Sequence, residues 1–173
     1  ETNVSEPVIR KDKDVFNQKP YRYLVYFKKD GCTYCERIEK DILDYNLKRL
    51  EEKYKNSLVL YTINLKTGGY TSPIINNRNY DDVHVDGVTD WEDLYVPSTP
   101  TLIEVYMENG VSTAKLIAVG STKIVRKLDD YLVKNADPVG EKKSYQITID
   151  YGYDNKVETF EKFEKCEFVL PTL

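Results

Sequence analysis

Residues 21–65 read YRYLVYFKKDGCTYCERIEKDILDYNLKRLEEKYKNSLVLYTINL, and this stretch decides the fold. Its first seven residues are a nearly continuous aromatic and aliphatic run, closed by Lys28-Lys29-Asp30-Gly31, which predicts a buried strand and then a turn. From Glu36 onward, Ile38, Ile42, Leu43, Leu47, Leu50 and Tyr54 recur at three- and four-residue spacing among charged residues, the pattern of an amphipathic helix. Residues 57–65 (SLVLYTINL) form a second apolar run. Two strands separated by such a helix are expected to run parallel, as a β-α-β unit. Such units gather functional groups just beyond the carboxyl end of a strand, which is where Cys32-Thr33-Tyr34-Cys35 falls.

Working outward, residues 66–88 lose all periodicity and fill with Gly, Asn, Asp and Tyr, so they read as a loop or insertion that a helical turn at 89–95 closes. Residues 101–108 and 114–119 flank Asn109-Gly110, the signal of an antiparallel hairpin. Gly120 breaks the second strand. Ser121 or Thr122 then caps a helix with the apolar stripe Ile124, Val125, Leu128, Tyr131 and Leu132. Pro138 and Gly140 mark a break, after which residues 145–151 and 156–168 read as a further strand pair, marginal alone and needing something to pack on. The expected organisation is a polar leader at 1–19, an α/β domain at 20–137 with an insertion at about 66–92, and a β-hairpin extension at 138–173 packed on the domain.

A 173-residue chain suits one domain with additions. Its net charge of −4 argues against a nucleic-acid or anionic-membrane surface, and no apolar stretch approaches the roughly 20 residues that cross a bilayer. With one histidine, His84, there is little scope for histidine-based catalysis. Three cysteines cannot all pair within the chain. Glu1 opens the sequence without an initiator methionine, and the polar stretch after it fits a spacer behind a removed export signal or lipid anchor, or equally a cloning boundary.

Cys32 falls where the helix begins. A helix amino terminus carries partial positive charge and unpaired N–H groups, so it stabilises a thiolate, the form that attacks a disulfide. A Cys-x-x-Cys pair is also half of many zinc sites, with Cys166 and His84 as the remaining donors here, or it is an inert bridge. Cys166 reads as a semi-buried free thiol and His84 as a surface-loop residue. The acidic group Asp81, Asp82, Asp86, Asp90, Glu92 and Asp93 lacks calcium-loop spacing and reads as a solvated loop. Tyr21, Tyr23, Tyr26 and Tyr45 read as packing residues, and Tyr34 as exposed.

The order strand, Cys-x-x-Cys, amphipathic helix, strand, then Pro97-Ser98-Thr99-Pro100-Thr101 opening a hairpin and a last helix, resembles the thioredoxin superfamily over roughly two-thirds of the chain, residues 21–135. The resemblance implies a thioredoxin-like α/β fold with a central mixed sheet flanked by helices, and thiol-disulfide oxidoreductase activity without a cofactor or a metal. It implies Cys32 as the exposed nucleophile and Cys35 as the resolving cysteine one helical turn deeper. It makes Pro100 a cis-proline whose preceding residue, Thr99, offers its backbone to an extended substrate, with Tyr34 beside it, and Gly120 the glycine before the last helix. Implied partners are protein thiols or disulfides and a redox partner protein, with a monomer as the expected state. The expected location is outside the cytoplasm, as an exported or membrane-anchored bacterial protein; the cytoplasm is the alternative.

The chain also departs from the family. Gly31 stands where thioredoxins carry tryptophan, Thr33-Tyr34 replaces Gly-Pro, and no glutathione-binding signature accompanies Tyr34. Tyr26 occupies the position of a buried carboxylate that accepts the proton of the second cysteine. Proton transfer is then left to water, Asp30, Glu36 or a group supplied by folding. A binding module that keeps the fold and works through its insertion and carboxyl-terminal extension is the alternative function.

Overall fold

The computed structural model describes residues 7–55, 57–133, 144–150 and 155–161. Its centre is a five-stranded mixed sheet built from β1 (Val8–Ile9), β2 (Tyr23–Lys28), β3 (Val59–Asn64), β6 (Thr101–Glu108) and β7 (Val111–Val119), in the order β1-β3-β2-β6-β7. β1 and β2 both run parallel to β3, while β6 runs antiparallel to β2 and to β7. The expected parallel crossover and the hairpin are both present.

Between β2 and β3 the chain is helical but interrupted. α1 (Thr33–Arg37) gives way at Ile38 to α2 (Glu39–Asp44), then to a π-helical turn (Tyr45–Arg49) and α3 (Leu50–Tyr54). The apolar spacing predicted one continuous helix. Ile38, with φ −113° and ψ 14°, leaves the helical region, and the single π turn adjusts the register so that Tyr45 and Leu50 both stay buried.

Each strand side chain points to one face or the other, and the two faces have different covers. On one face Leu24, Tyr26, Leu60 and Leu102 meet Ile38, Ile42 and Leu50, together with Ile124 and Leu128 of α4 (Ser121–Val133). On the other, Ile9 of β1 joins Val25, Phe27, Ile63 and Ile103, and irregular chain covers them: Val15 from the amino-terminal stretch, and Ile74, Val85, Val88, Leu94 and Val96 from the insertion. The insertion holds a two-residue strand pair, β4 (Lys66–Thr67) with β5 (Tyr70–Thr71), and a 3-10 turn at Trp91–Asp93.

Two expectations need correction here. From Val8 the stretch read as a leader joins the sheet as an edge strand, with Val8 opposite Thr62 and the Thr62 N–H donating to the Pro7 carbonyl. Tyr21, read as packing, is 74% exposed because it precedes β2, whereas Tyr23, Tyr26 and Tyr45 are buried. β8 (Ser144–Asp150) and β9 (Asn155–Glu161) pair antiparallel. Cys166 and the far end of the expected second strand lie outside the described residues.

Candidate active site

The turn that delivers the cysteines is fixed from below. After β2, Leu65 N–H donates to the Lys28 carbonyl at 2.7 Å and Asp30 N–H to the Lys66 carbonyl at 2.9 Å. The Asn64 amide donates to the Asp30 carboxylate at 2.9 Å, and that bond holds the exposed carboxyl below its ordinary value. Gly31 closes the turn at φ +76°, a conformation that glycine adopts without strain. Cys32 follows as the N-cap of α1.

Cys32 and Cys35 form a disulfide, with Cα atoms 5.2 Å apart. The Cys35 N–H donates to Cys32 Sγ at 3.1 Å, and the Thr99 hydroxyl donates to the same sulfur at 3.3 Å. The Thr99 carbonyl oxygen lies 3.5 Å from it. Thr99 thereby roofs the sulfur, so Cys32 is only 6% exposed against 5% for Cys35. The expected contrast in exposure between the two cysteines is therefore not seen in this oxidised form.

Thr99–Pro100 is a cis peptide bond. The loop carrying it is held by the Thr101 hydroxyl, which donates to the Ser98 carbonyl at 2.7 Å, and by Gly120 N–H, which donates to the Pro100 carbonyl at 3.0 Å. Tyr34 projects outward, 55% exposed, with the Arg37 guanidinium 4.7 Å from its ring centroid. Tyr34, Arg37, Thr99, Pro100, Ser121 and Lys123 line one shallow recess of about 310 Å³ beside the cystine. The structure thus brings together all five residues singled out by sequence: Cys32, Cys35, Thr99, Pro100 and Tyr34.

A second recess, of about 430 Å³, lies behind Cys35 and is lined by Tyr26, Lys28, Asp30, Glu36, Glu39 and Thr62, among others. Burial pushes the Tyr26 phenol up, and the nearby Glu39 charge adds to the effect. Sequence reasoning named Tyr26, Asp30 and Glu36 around this space but missed Glu39 and Thr62. Thr62 is the in-register partner of Tyr26 in the parallel pairing, a signal that exists only once the strand register is known.

His84 is not drawn to the cysteines. Its Nδ1 lies 2.8 Å from the Asp93 carbonyl oxygen and its ring stacks on Tyr80 at 3.9 Å between centroids. Among the described residues, no group of three or more His, Cys, Asp or Glu side chains gathers where it could hold a metal ion. None of the described helices is long and apolar enough to cross a membrane.

A thioredoxin-like domain model matches residues 9–130, most of the chain, and the match spans the cystine, the Pro100 loop and most of α4. The chain belongs to the thioredoxin-like family. The match starts at Ile9, the second residue of β1. Among solved structures the chain is similar to a thioredoxin of Trichomonas vaginalis, at 16% identity and a TM-score of 0.42, covering 73% of this chain and 99% of that one. It is also similar to oxidised thioredoxin O2 of Arabidopsis thaliana, at 16% identity and a TM-score of 0.41, covering 75% and 97%. No curated protein matches the chain. Membership in this thioredoxin-like family, together with the Cys32–Cys35 disulfide, supports redox activity on thiols and disulfides in general.

Proposed function

We propose that this thioredoxin-like protein is a thiol-disulfide oxidoreductase that exchanges disulfides with protein substrates through Cys32 and Cys35. One observation carries the reading: Cys32 Sγ caps a helix and accepts from both the Cys35 N–H and the Thr99 hydroxyl. In the reduced protein those donors meet a thiolate, and hydrogen bonds to a charged group favour the charged form.

In the reducing direction, the Cys32 thiolate attacks one sulfur of the substrate disulfide. The other substrate sulfur leaves as a thiolate and takes up a proton. Cys35, deprotonated, then attacks Cys32 Sγ; the Cys32–Cys35 bond forms, the mixed disulfide breaks, and the substrate has gained two electrons and two protons. Thr99, Pro100 and Tyr34 form the substrate-binding surface in this reading. An extended segment lies along the Thr99 backbone as an added strand, with Tyr34 in contact beside it. Residues 20–137 form the catalytic domain and residues 138–173 an extension of it.

The test is reduction of insulin by a chemically regenerated dithiol. Cys32→Ser abolishes turnover, and Cys35→Ser accumulates a protein–substrate mixed disulfide visible on non-reducing gels. Full activity in Cys32→Ser sinks the reading, and so does no turnover by the unmodified protein, the outcome that favours a binding module. The direction of electron flow comes from the potential of the pair: a value near about −270 mV marks a reductase, and one near about −120 mV an oxidant acting outside the cytoplasm.

A further inference from the structure

Tyr26 on β2 and Thr62 on β3 stand opposite each other in the parallel pair. They are 2% and 5% exposed, and among the described residues neither the Tyr26 hydroxyl nor the Thr62 Oγ1 has a hydrogen-bond partner. Leaving a buried hydroxyl without a hydrogen bond is costly, so two at one spot call for a reason. Both residues line the recess of about 430 Å³ that Cys35 also lines. A water needs about 30 Å³ of liquid volume and two or more polar partners, and the recess provides both against the inner side of Cys35.

The ionisable groups around that space are Tyr26, Lys28, Lys29, Asp30, Glu36 and Glu39. The lysines are cations and offer no acceptor. Tyr26, its phenol pushed up by burial, remains a neutral donor. Asp30 is engaged by Asn64 and held below the ordinary carboxylate range, which makes it a weak base. Glu39 opens α2 just past the break at Ile38 and lines the same recess as Cys35 and Tyr26, and its charge adds to the rise in the Tyr26 phenol.

We propose that Tyr26 and Thr62 are positioning residues that hold water against Cys35 Sγ, and that Glu39 accepts the Cys35 proton through this water. The inference rests on the dithiol reading above and supplies its missing base. As Cys35 closes on Cys32, its S–H proton moves to the held water, a proton of that water moves to the Glu39 carboxylate, and the sulfur electron pair forms the new S–S bond. The Cys32–substrate bond breaks and the substrate sulfur leaves as a thiolate. Glu39, at an exposed position, then returns its proton to solvent.

The experiment is rapid mixing of reduced, full-length protein carrying Cys166→Ser, so that no third thiol reports, with dithiobis(nitrobenzoate), which releases one coloured thiolate when Cys32 attacks and a second when Cys35 resolves. Glu39→Gln is expected to leave the first phase unchanged and to slow the second by about 10-fold or more near neutral pH, the deficit closing at alkaline pH where hydroxide replaces the base. The double variant Tyr26→Phe with Thr62→Val, which keeps both shapes, is expected to slow the same phase. A purely structural role for these hydroxyls would leave that phase and its pH profile unmoved. An unchanged second phase in Glu39→Gln, or a loss found in Glu36→Gln instead, overturns the inference. A missing first phase in the Cys166→Ser parent overturns the dithiol reading itself.

Discussion

Arg22→Met should destabilise the protein by an amount that grows with pH. Glu104 is fully buried on β6; it accepts from Arg22 Nε at 2.7 Å and from the Tyr131 hydroxyl at 2.7 Å. Burial raises its pKa above the ordinary carboxyl value, and Arg22 is the largest opposing influence. A carboxyl whose folded pKa exceeds its unfolded value holds its proton more tightly in the native state. The native state is therefore favoured below about pH 4.3 and loses that advantage as pH climbs toward the folded value. Removing Arg22 raises the folded value further and deepens the loss. With Glu104 largely protonated at about pH 4.5, the variant forfeits a hydrogen bond from the Arg22 cation to an uncharged carboxyl, about 1.5–3 kcal/mol, plus some packing. With Glu104 ionised, breaking the buried pair costs about 3–5 kcal/mol, or about 6–20 °C in Tm for a domain of this size. Urea unfolding of the oxidised protein and the variant, each at about pH 4.5 and about pH 8, measures the difference. Measured against Glu104→Gln alone, the double variant Arg22→Met with Glu104→Gln should show a penalty that does not change with pH. A penalty in the single variant that is flat, or that shrinks as pH rises, refutes the reasoning.

Leu94→Ala, in the insertion and fully buried against the second face, should lower stability by about 2–5 kcal/mol in urea unfolding, as a core residue does and a surface-loop residue does not. Gly31→Ala places a Cβ where nothing stands within 4 Å but at φ +76°, so it should lower stability by about 1–2 kcal/mol through backbone strain alone. Gly31→Asn, which tolerates that region better, should lose less in the same measurement.

Periodicity carried the fold where one side of an element is apolar. The strand before Cys32, the crossover, the hairpin and α4 each have a repeat of two or of three to four residues, and each was legible. β1 was hidden because two residues held by backbone pairing have no period to read. The insertion misled in another way. Ile74, Val85, Val88, Leu94 and Val96 are spaced irregularly, because irregular chain can bring any residue to a surface, so their burial on one face leaves no repeat. At the site, the two cysteines with Thr99 and Pro100 were readable from spacing and resemblance. Thr62 and Glu39 were not, since their nearness to Cys35 depends on strand register and on the break at Ile38.

This division of labour has a consequence for the cystine. β2 is buried on both faces, with Leu24 and Tyr26 in the helical core and Tyr23, Val25 and Phe27 in the core that the insertion covers. The strand that presents Cys32 is therefore clamped from two sides by packing that shares no residues. In the proposed mechanism only the helical side takes part, where α1 holds the sulfurs and Tyr26 and Thr62 face the recess behind them. A change in the insertion acts on the cystine through the stability of β2, not by contact. Loss of a buried side chain such as Leu94 should consequently lower the unfolding midpoint while leaving the potential of the folded Cys32–Cys35 pair unchanged.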